Sequence, residues 1–562
     1  MPPPMSDPAP GTIRFLPEDV SVPVAAGESI LSHAIRAGVP LLSPCGGEKR
    51  CGKCRVTVAG RAEGGDDPGI LSGADLLAGV RLACRCLPLA GNITVTVPPE
   101  SRPAKLSAYL EGRDLAEDEP ILPLHAATGG RIPLGVALDL GTSTLAGALI
   151  DLVGGRLLGR AAADNPQMSC GEDLISRIVY VEENEGGFTL LRQLLLSGVE
   201  MVIAALLRSA PDDGEIVDVT AAGNTVITHI LHGVSPAPIR HPPYRPVIRE
   251  YPVRTGEEIG SLAAPCAPWR LFPSLGGFVG GDIVAGVLAS GMHREESVCL
   301  LFDVGTNGEV ALGNNEFLMV CSSSAGPAFE GGEVACGMRA YPGAIESVRI
   351  DPGTLVAEWT VIGGGRPLGI CGSGILDLCA EMFRAGLIDR AGQFVPRAGA
   401  PFAETARGRA YLVASAKQSA AGSDICFSAP DVKSVLRTKA ALCAAADSLL
   451  AAVGLPRDAV ERVYIAGGFG NFLDLRSALS LGMFPPFPLE RYVPLGNASL
   501  AGAIGAIRSR RRWKEALALA AASTYHDLSS DAGFMEAFQR ALFIPHTDEE
   551  SYRKVLSPGA GR

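Results

Sequence analysis

Hydrophobic and polar positions change period along the chain. TIRFLPEDVSVPV (residues 12–24) alternates and is rich in β-branched residues, which predicts strand; ESILSHAIRAG (28–38) places apolar residues at helical spacing, with Gly38 as a stop. CRVTVAG (54–60) and NITVTVPP (92–99) read as two further strands. Small strands with one helix across them describe an α+β unit of β-grasp proportions, short of core and in need of a staple. Beyond residue 133 the apolar runs lengthen. LGVALDLGTSTLAGALIDL (134–152) reads as strand, glycine turn, strand, and the same pattern returns as VCLLFDVGTNGEVALGN (298–314). VERVYIAGGFGNFLDL (460–475) is an apolar strand running into Gly467 and Gly468. LLRQLLLSGVEMVIAALL (190–207) carries Arg192 and Glu200 and reads as an amphipathic or buried helix rather than a membrane span.

Between these regions, residues 98–133 are rich in proline and charge, with one short helical stretch at AKLSAYLEGR (104–113). Two readings stay open: a flexible tether, or a strap packed on the next domain. The expected domains are 1–97, the linker 98–133, a first lobe 134–296 and a second lobe 297–562.

Composition narrows the function. The chain has 562 residues, 47% of them apolar, enough for more than one core. Its 49 Lys and Arg against 60 Asp and Glu leave a net charge of −11, which argues against nucleic acid as a partner. No signal-peptide pattern opens the sequence, so a cytoplasmic protein without a membrane partner is expected. In a reducing cytosol its 14 cysteines are not a disulfide framework. Three of them nevertheless crowd into CGGEKRCGKC (45–54), as Cys45-x5-Cys51-x2-Cys54, and RLACRC offers Cys84 or Cys86 as a fourth.

Three thiolates on one loop and one remote resemble the plant-type ligand pattern of a 2Fe–2S cluster, whose first gap is four residues. A gap of five, as here, matches the vertebrate-type ferredoxins. Cys84 is the preferred fourth ligand, because R-L-A-C resembles the corresponding ferredoxin segment; Cys86 reads as a packed thiol. Structural zinc is the alternative, but no second CxxC or HxxxH stands nearby. Cysteines 170, 266, 299, 321, 336, 371, 379, 426 and 443 lack ligand spacing and read as small hydrophobes, with Cys321 and Cys371 in glycine-rich loops.

The paired hairpins carry a second chemistry. Backbone N–H groups of a tight Gly-Thr turn suit phosphate oxygens, and an aspartate at the strand end suits a hydrated magnesium ion. The candidates are Asp139, Gly141, Thr142, Ser143 and Thr144 in the first hairpin, and Asp303, Gly305, Thr306, Asn307 and Gly308 in the second. Gly467 and Gly468 would leave room for adenine and ribose. Asn224 and Asp282 are expected to face the same cleft; Asp282, Glu309 and Glu330 compete as general base. His229 and His232 have helical spacing and read as satisfied within the fold, and RSRRRWK (508–514) as a solvated helix start.

This trio of motifs resembles the phosphate-1, phosphate-2 and adenosine motifs of the actin, sugar-kinase and heat-shock-chaperone ATPases. That implies two ribonuclease-H-like lobes binding ATP and Mg2+ in the cleft. Together with the cysteine unit and the segments NPQMSCGEDLISRI, AAGNTVITHILHG, FPSLGGFVGGDIVAG, SSSAGPAFEGGEV, GICGSGILDL and PLGNASLAGA, the chain resembles the ATP-dependent reductive activators of corrinoid proteins. The resemblance implies one-electron reduction of cob(II)amide to cob(I)amide in a corrinoid protein of a methyltransferase system, an external electron donor or reductase, and a homodimer. A small-molecule kinase or chaperone-like ATPase with a redox-sensing cluster, and a plain ferredoxin-type carrier, are the competing classes.

Overall fold

The computed structural model describes residues 11–98, 101 and 131–556, except 26, 38, 40, 42, 44–51, 53, 69, 72, 90, 324–326, 331 and 469–472. Gly38 and the expected helix 104–113 lie outside the described residues, as does most of the stretch 98–133. The chain divides into two compact units: residues 1–105 with 164–199, and 106–163 with 200–562.

In the first unit, β1 (Thr12–Leu16), β2 (Val20–Pro23), β3 (Arg55–Ala59), β5 (Val80–Leu82) and β7 (Ile93–Thr96) form one sheet, and β4 (Ala62–Gly64) pairs separately with β6 (Cys86–Pro88). The sheet order is β2-β1-β7-β3-β5, with β1 parallel to β7 and antiparallel to β2. This is the β-grasp arrangement. Alternation along β1 buries Ile13 and Phe15, which meet Ile30, Leu31 and Ala34 of the helix Ile30–Arg36 in the core. Ser29 caps that helix by accepting from Ser32 N–H. His33 is buried but satisfied: Ala25 N–H donates to its Nε2 at 2.9 Å, so Nδ1 donates to Ser29 O at 2.7 Å.

The second unit repeats one topology. Its first sheet contains β8 (Ile132–Leu140), β9 (Thr144–Asp151), β10 (Leu157–Asp164), β11 (Gly214–Gly223), β12 (Arg254–Thr255) and β13 (Pro268–Leu271), in the order β10-β9-β8-β11-β13-β12. A second sheet begins with β14 (Val298–Val304), β15 (Gly308–Gly313) and β16 (Leu318–Ser323). Two three-stranded sheets follow in sequence: β17 (Ala344–Ile350), β18 (Ala357–Val361) and β19 (Gly369–Ile370), then β20 (Phe402–Thr405), β21 (Gly408–Ala414) and β22 (Ile425–Ser428). The second large sheet is completed by β23 (Val460–Ala466), β24 (Tyr492–Gly496) and β25 (Thr524–Tyr525), in the order β24-β23-β14-β15-β16-β25. In each sheet a hairpin leads, β8–β9 or β14–β15, and its first strand takes a parallel partner on the other side, β11 or β23. These are the two ribonuclease-H-like lobes expected from the duplicated motif. Covered on both faces, β8 and β14 are apolar almost throughout, as parallel strands require.

One core runs between the lobes, built from Ala137, Ala146 and Phe272 on one side, Leu301, Ala311 and Val320 on the other, and the helices Gly281–Ser290 and Ala498–Arg508 between them in the packing. Those two helices approach closely because the contact is lined by Ala285, Gly286, Ala498 and Gly502; a Cβ on Gly502 would lie 2.1 Å from Ala285 O. The stretch 190–207 is helical, within Gly187–Leu207; by length and composition it could cross a membrane, but 44% of it is buried inside the protein. The basic run also begins a helix, Arg510–Ala522, capped by Ser509.

Gly502→Ala should destabilise the second unit by about 1–3 kcal/mol, because backbone rather than a movable side chain meets the added methyl. Urea unfolding of the full chain measures this, with Ser523→Ala as a control away from the contact.

Candidate functional site

The cysteine site begins where β3 ends its approach. Cys54 precedes β3, and its carbonyl accepts from Ala83 N–H at 2.8 Å, which sets Cys84 on the neighbouring segment. Both thiols are almost fully covered, at 1% and 8% exposure. The turn ahead of Cys54 needs glycine: Gly52 has φ +68°, and a Cβ there would meet Ile70 at 2.4 Å. Arg55 fastens this turn, its Nε donating to Gly52 O at 3.2 Å and its Nη1 to Asp75 at 3.2 Å. Cys86, one residue past Arg85, points into the β-grasp core, where burial pushes its thiol up to about 11. A protonated thiol there packs as a hydrophobe. Cys45 and Cys51 lie outside the described residues. Soft sulfur donors at Cys54 and Cys84, beside the turn at Gly52, fit a 2Fe–2S cluster.

The second site is built by both hairpins of the second unit. Asp139, near the end of β8, is half-buried and held by two donors from the start of the helix Ala498–Arg508: Ser499 Oγ at 2.7 Å on Oδ1 and Asn497 Nδ2 at 2.9 Å on Oδ2. Asn497 also caps that helix through Oδ1, accepting from Leu500 N–H at 2.8 Å. Beyond Asp139 the turn tolerates only glycine at 141, where a Cβ would lie 2.4 Å from Thr144 O. The second hairpin sets Asp303 opposite Glu309 in register, and Gly305 N–H closes its tip onto Asn307 O at 3.0 Å. Asn307 also hydrogen-bonds Glu309.

Two close approaches complete the cleft. Gly467, at φ +95°, passes so near that a Cβ would meet Val304 O at 2.5 Å and Asp303 Oδ1 at 2.8 Å. Gly280 likewise lies against Gly223 O and Thr225 N, bringing Asp282 of the following helix toward Asp139. Where the hairpin tips meet, Ser143 Oγ is 3.3 Å from Thr306 Oγ1, and Arg339 Nη1 donates to Ser143 O at 3.5 Å.

Electrostatics make this cleft unusual. Glu309 is buried, and Asp139, Asp282 and Asp303 are half-buried. Burial, then repulsion among the carboxylates, pushes Asp282 and Asp303 up to about 7 and Glu309 well above the ordinary carboxyl range. Burial also raises Asp139, opposed by its bonds from Ser499 and Asn497. Among the described residues no three His, Cys, Asp or Glu groups close tightly enough to enclose a bare ion.

Thr142, Ser143, Thr144, Thr306 and Gly308 lie on the hairpins. Gly468 follows β23, and the side chain of Glu330 lies outside the described residues. Asn224, at the end of β11 where Gly280 packs, caps the helix Thr225–His232 and donates to Phe278 O at 2.9 Å. His229 and His232 sit inside the same lobe, both edge-on to Tyr251, and burial holds His229 down to about 4. Cys266 is exposed rather than packed, because it falls in the irregular stretch ahead of β13. Sequence reasoning missed Asn497, Ser499 and Arg339. Asn497 had a signal, an N-cap residue ahead of an apolar helix in PLGNASLAGA; Arg339 had none.

Comparison with known proteins matches three segments in order: the 2Fe-2S iron-sulfur cluster binding domain at residues 13–89, the RACo middle region at 134–295 and the C-terminal domain of RACo, the ASKHA domain, at 297–556. A solved structure titled "Reductive activator for corrinoid,iron-sulfur protein" is 31% identical and superposes with a TM-score of 0.72, over 97% of this chain and 100% of that one. The corrinoid activation enzyme RamQ of Eubacterium limosum is 30% identical over 413 residues, 72% of this chain and 69% of its own. The [Co(II) methylated amine-specific corrinoid protein] reductase of Methanosarcina barkeri is 26% identical over 425 residues, 69% of this chain and 72% of its own. With all three segments matched in sequence order and a solved relative covered end to end, the chain belongs to the family of reductive activators of corrinoid proteins.

Proposed function

We propose that this chain uses ATP to drive one electron onto the cobalt of a partner corrinoid protein in a methyltransferase system, returning cob(II)amide to cob(I)amide. The observation that carries the reading is the union in one chain of a thiolate-bearing β-grasp unit with a duplicated, carboxylate-lined hairpin cleft. An external reductase supplies the electron, and the protein works in the cytoplasm, as a homodimer. When bound, a 2Fe–2S cluster supplies one electron at about −400 mV in plant-type surroundings. Cys45, Cys51, Cys54 and Cys84 are its ligands in this reading, with Cys86 left in the core.

An electron that must travel uphill needs a second source of free energy, because each 59 mV of deficit costs about 1.4 kcal/mol for one electron. Asp139 and Asp303 hold hydrated Mg2+, the turns at Gly141–Thr144 and Gly305–Gly308 face the phosphates, and Gly467–Gly468 receives the nucleoside. Lobe closure on ATP then alters how tightly the activator holds the two cobalt states, and that difference in affinity shifts the redox equilibrium.

The direct test mixes the reduced protein with a cob(II)amide-containing corrinoid protein and follows the visible spectrum. Cob(I) should form with MgATP and not without it; its absence with every cognate candidate would sink the reading. Cys54→Ser and Cys84→Ser should abolish the iron–sulfur absorption while Cys86→Ala retains it. Retention in the first two would refute the ligand set. Asp303→Asn relieves a buried repulsion, so the nucleotide-free protein should melt at or above the wild-type temperature. It should lose the stabilisation that MgATP gives the wild type, about 2.7 kcal/mol at a hundredfold excess over Kd, read as an upward shift in Tm.

A further inference from the structure

Residues 240–253 run for fourteen positions without helix or strand, and all but Pro246, Ile248 and Tyr251 are exposed. A loop of that length inside a folded lobe is uncommon unless it has a function. Its composition runs against the rest of the chain: from 240 to 254 stand four arginines and one glutamate, in a protein of net charge −11. Apolar side chains lie open along it as well, Tyr244 at 45% exposure, Val247 at 54% and Val253 at 56%. Four prolines, at 242, 243, 246 and 252, stiffen the backbone, so little freedom is left to lose on binding.

The loop is also fastened to the nucleotide cleft. Ser274 N–H donates to Arg249 O at 2.8 Å, and Arg249 Nε donates back to Ser274 O at 3.2 Å. Tyr251, the one buried residue of the stretch, sets its hydroxyl 2.8 Å from Ser274 Oγ. Earlier in the loop Gly277 packs against Tyr244, where a Cβ would lie 2.7 Å from Tyr244 O. Tyr244 itself holds φ +58°, a left-handed conformation that a bulky side chain rarely adopts. Such strain persists where the surroundings enforce it, and it gathers at sites that bind or switch. From Ser274 the chain continues as a glycine-rich segment that is itself tied down: Leu275 N–H and Gly276 N–H donate to Val279 O, at 2.9 and 3.0 Å, and Thr225 Oγ1 donates to Gly276 O at 2.7 Å. Asp282 follows, beside Asp139 in the cleft. A push on the loop therefore bears on the turn that carries Asp282.

We propose that residues 240–253 are a docking surface for the partner corrinoid protein and grip an acidic, partly apolar face of it. This rests on the reading of the chain as a nucleotide-driven activator. Exposed Arg245 steers the acidic face in, and Tyr244 and Val247 supply apolar contact on a backbone already set for it. Of the molecules the activity requires, the corrinoid protein is the one whose affinity must change with the nucleotide, and this loop shares its fastening with the nucleotide site. The electron donor serves the cysteine unit instead. A second copy meeting the first loop to loop about a twofold axis would set arginine against arginine.

The test titrates the full, cluster-loaded chain calorimetrically with the cob(II)amide-containing corrinoid protein that the wild type reduces, at about 50 mM and about 500 mM salt. Arg245→Glu and Tyr244→Ala should each raise Kd about 10-fold or more at the lower salt, and the penalty of the charge reversal should shrink at the higher. Lys433→Glu makes the same charge change at an exposed position on the helix Ala429–Ala452 and should leave Kd within about twofold of wild type. The MgATP-induced rise in Tm should persist in every variant, which separates lost docking from lost folding. A Kd within about twofold of wild type for both loop variants overturns the proposal, as does an equal loss in Lys433→Glu, the mark of a general charge effect. So does an Arg245→Glu protein that sediments as a monomer where the wild type is a dimer yet keeps its affinity for the corrinoid protein, since the loop then belongs to a second copy. A wild type that reduces cobalt while the loop variants bind as tightly removes the surface alone; a wild type that neither binds nor reduces any corrinoid protein removes the activator reading with it.

Discussion

Mutual repulsion among carboxylates gathered at the cleft is the constraint around which the nucleotide unit is organised. Asp139, Asp282 and Asp303 are half-buried and Glu309 is buried; Asp139 raises the proton affinity of Asp282, Asp139 and Asp282 that of Asp303, and Asp282 and Asp303 that of Glu309. Unliganded, such a cluster opposes the fold that contains it, so the stability gained elsewhere must exceed what is lost here. Asp139 receives two side-chain donors that favour its charged form, and these come from a helix cap hundreds of positions later in sequence. Burial and repulsion still dominate at Asp282, Asp303 and Glu309.

Holding four carboxylates together requires the backbones around them to approach closely, and small residues permit it. Gly467 brings the third motif onto Asp303, Gly280 brings the Asp282 turn onto the end of β11, and Gly502 lets two core helices touch. A side chain at any of these points would push apart elements that the charge cluster already tends to separate. The shared core of Phe272, Leu301 and the two helices supplies the opposing hydrophobic force. The same arrangement gives the cleft two-sidedness: two carboxyl groups and one hydroxyl-bearing turn on each lobe, with the turns meeting at Ser143 and Thr306.

The β-grasp unit solves a different problem. Its core is small, so a thiolate site can contribute to its stability as well as to its chemistry. Two residues apart, Cys84 falls in the turn between β5 and β6, on the segment tied to Cys54 by the Ala83 N–H bond, while Cys86 opens β6, where burial raises its thiol pKa.

What could be read from the chain alone was whatever depends on neighbours in sequence. The β-grasp strands, the hairpins at Asp139 and Asp303, the strand ending at Gly467, the long apolar helix and the helix opened by RSRRRWK all follow from local periodicity, glycine placement and capping. The duplicated turn, and the likeness it carried, reached as far as the two lobes. Asn224 shows where local reading stops, since the residue that suited a cleft equally suited the helix cap it forms. Arg339, Asn497 and Ser499 show the same limit from the other side. Their roles depend on which distant residue they meet, Ser143 or Asp139, and packing between lobes rather than any local pattern sets those meetings.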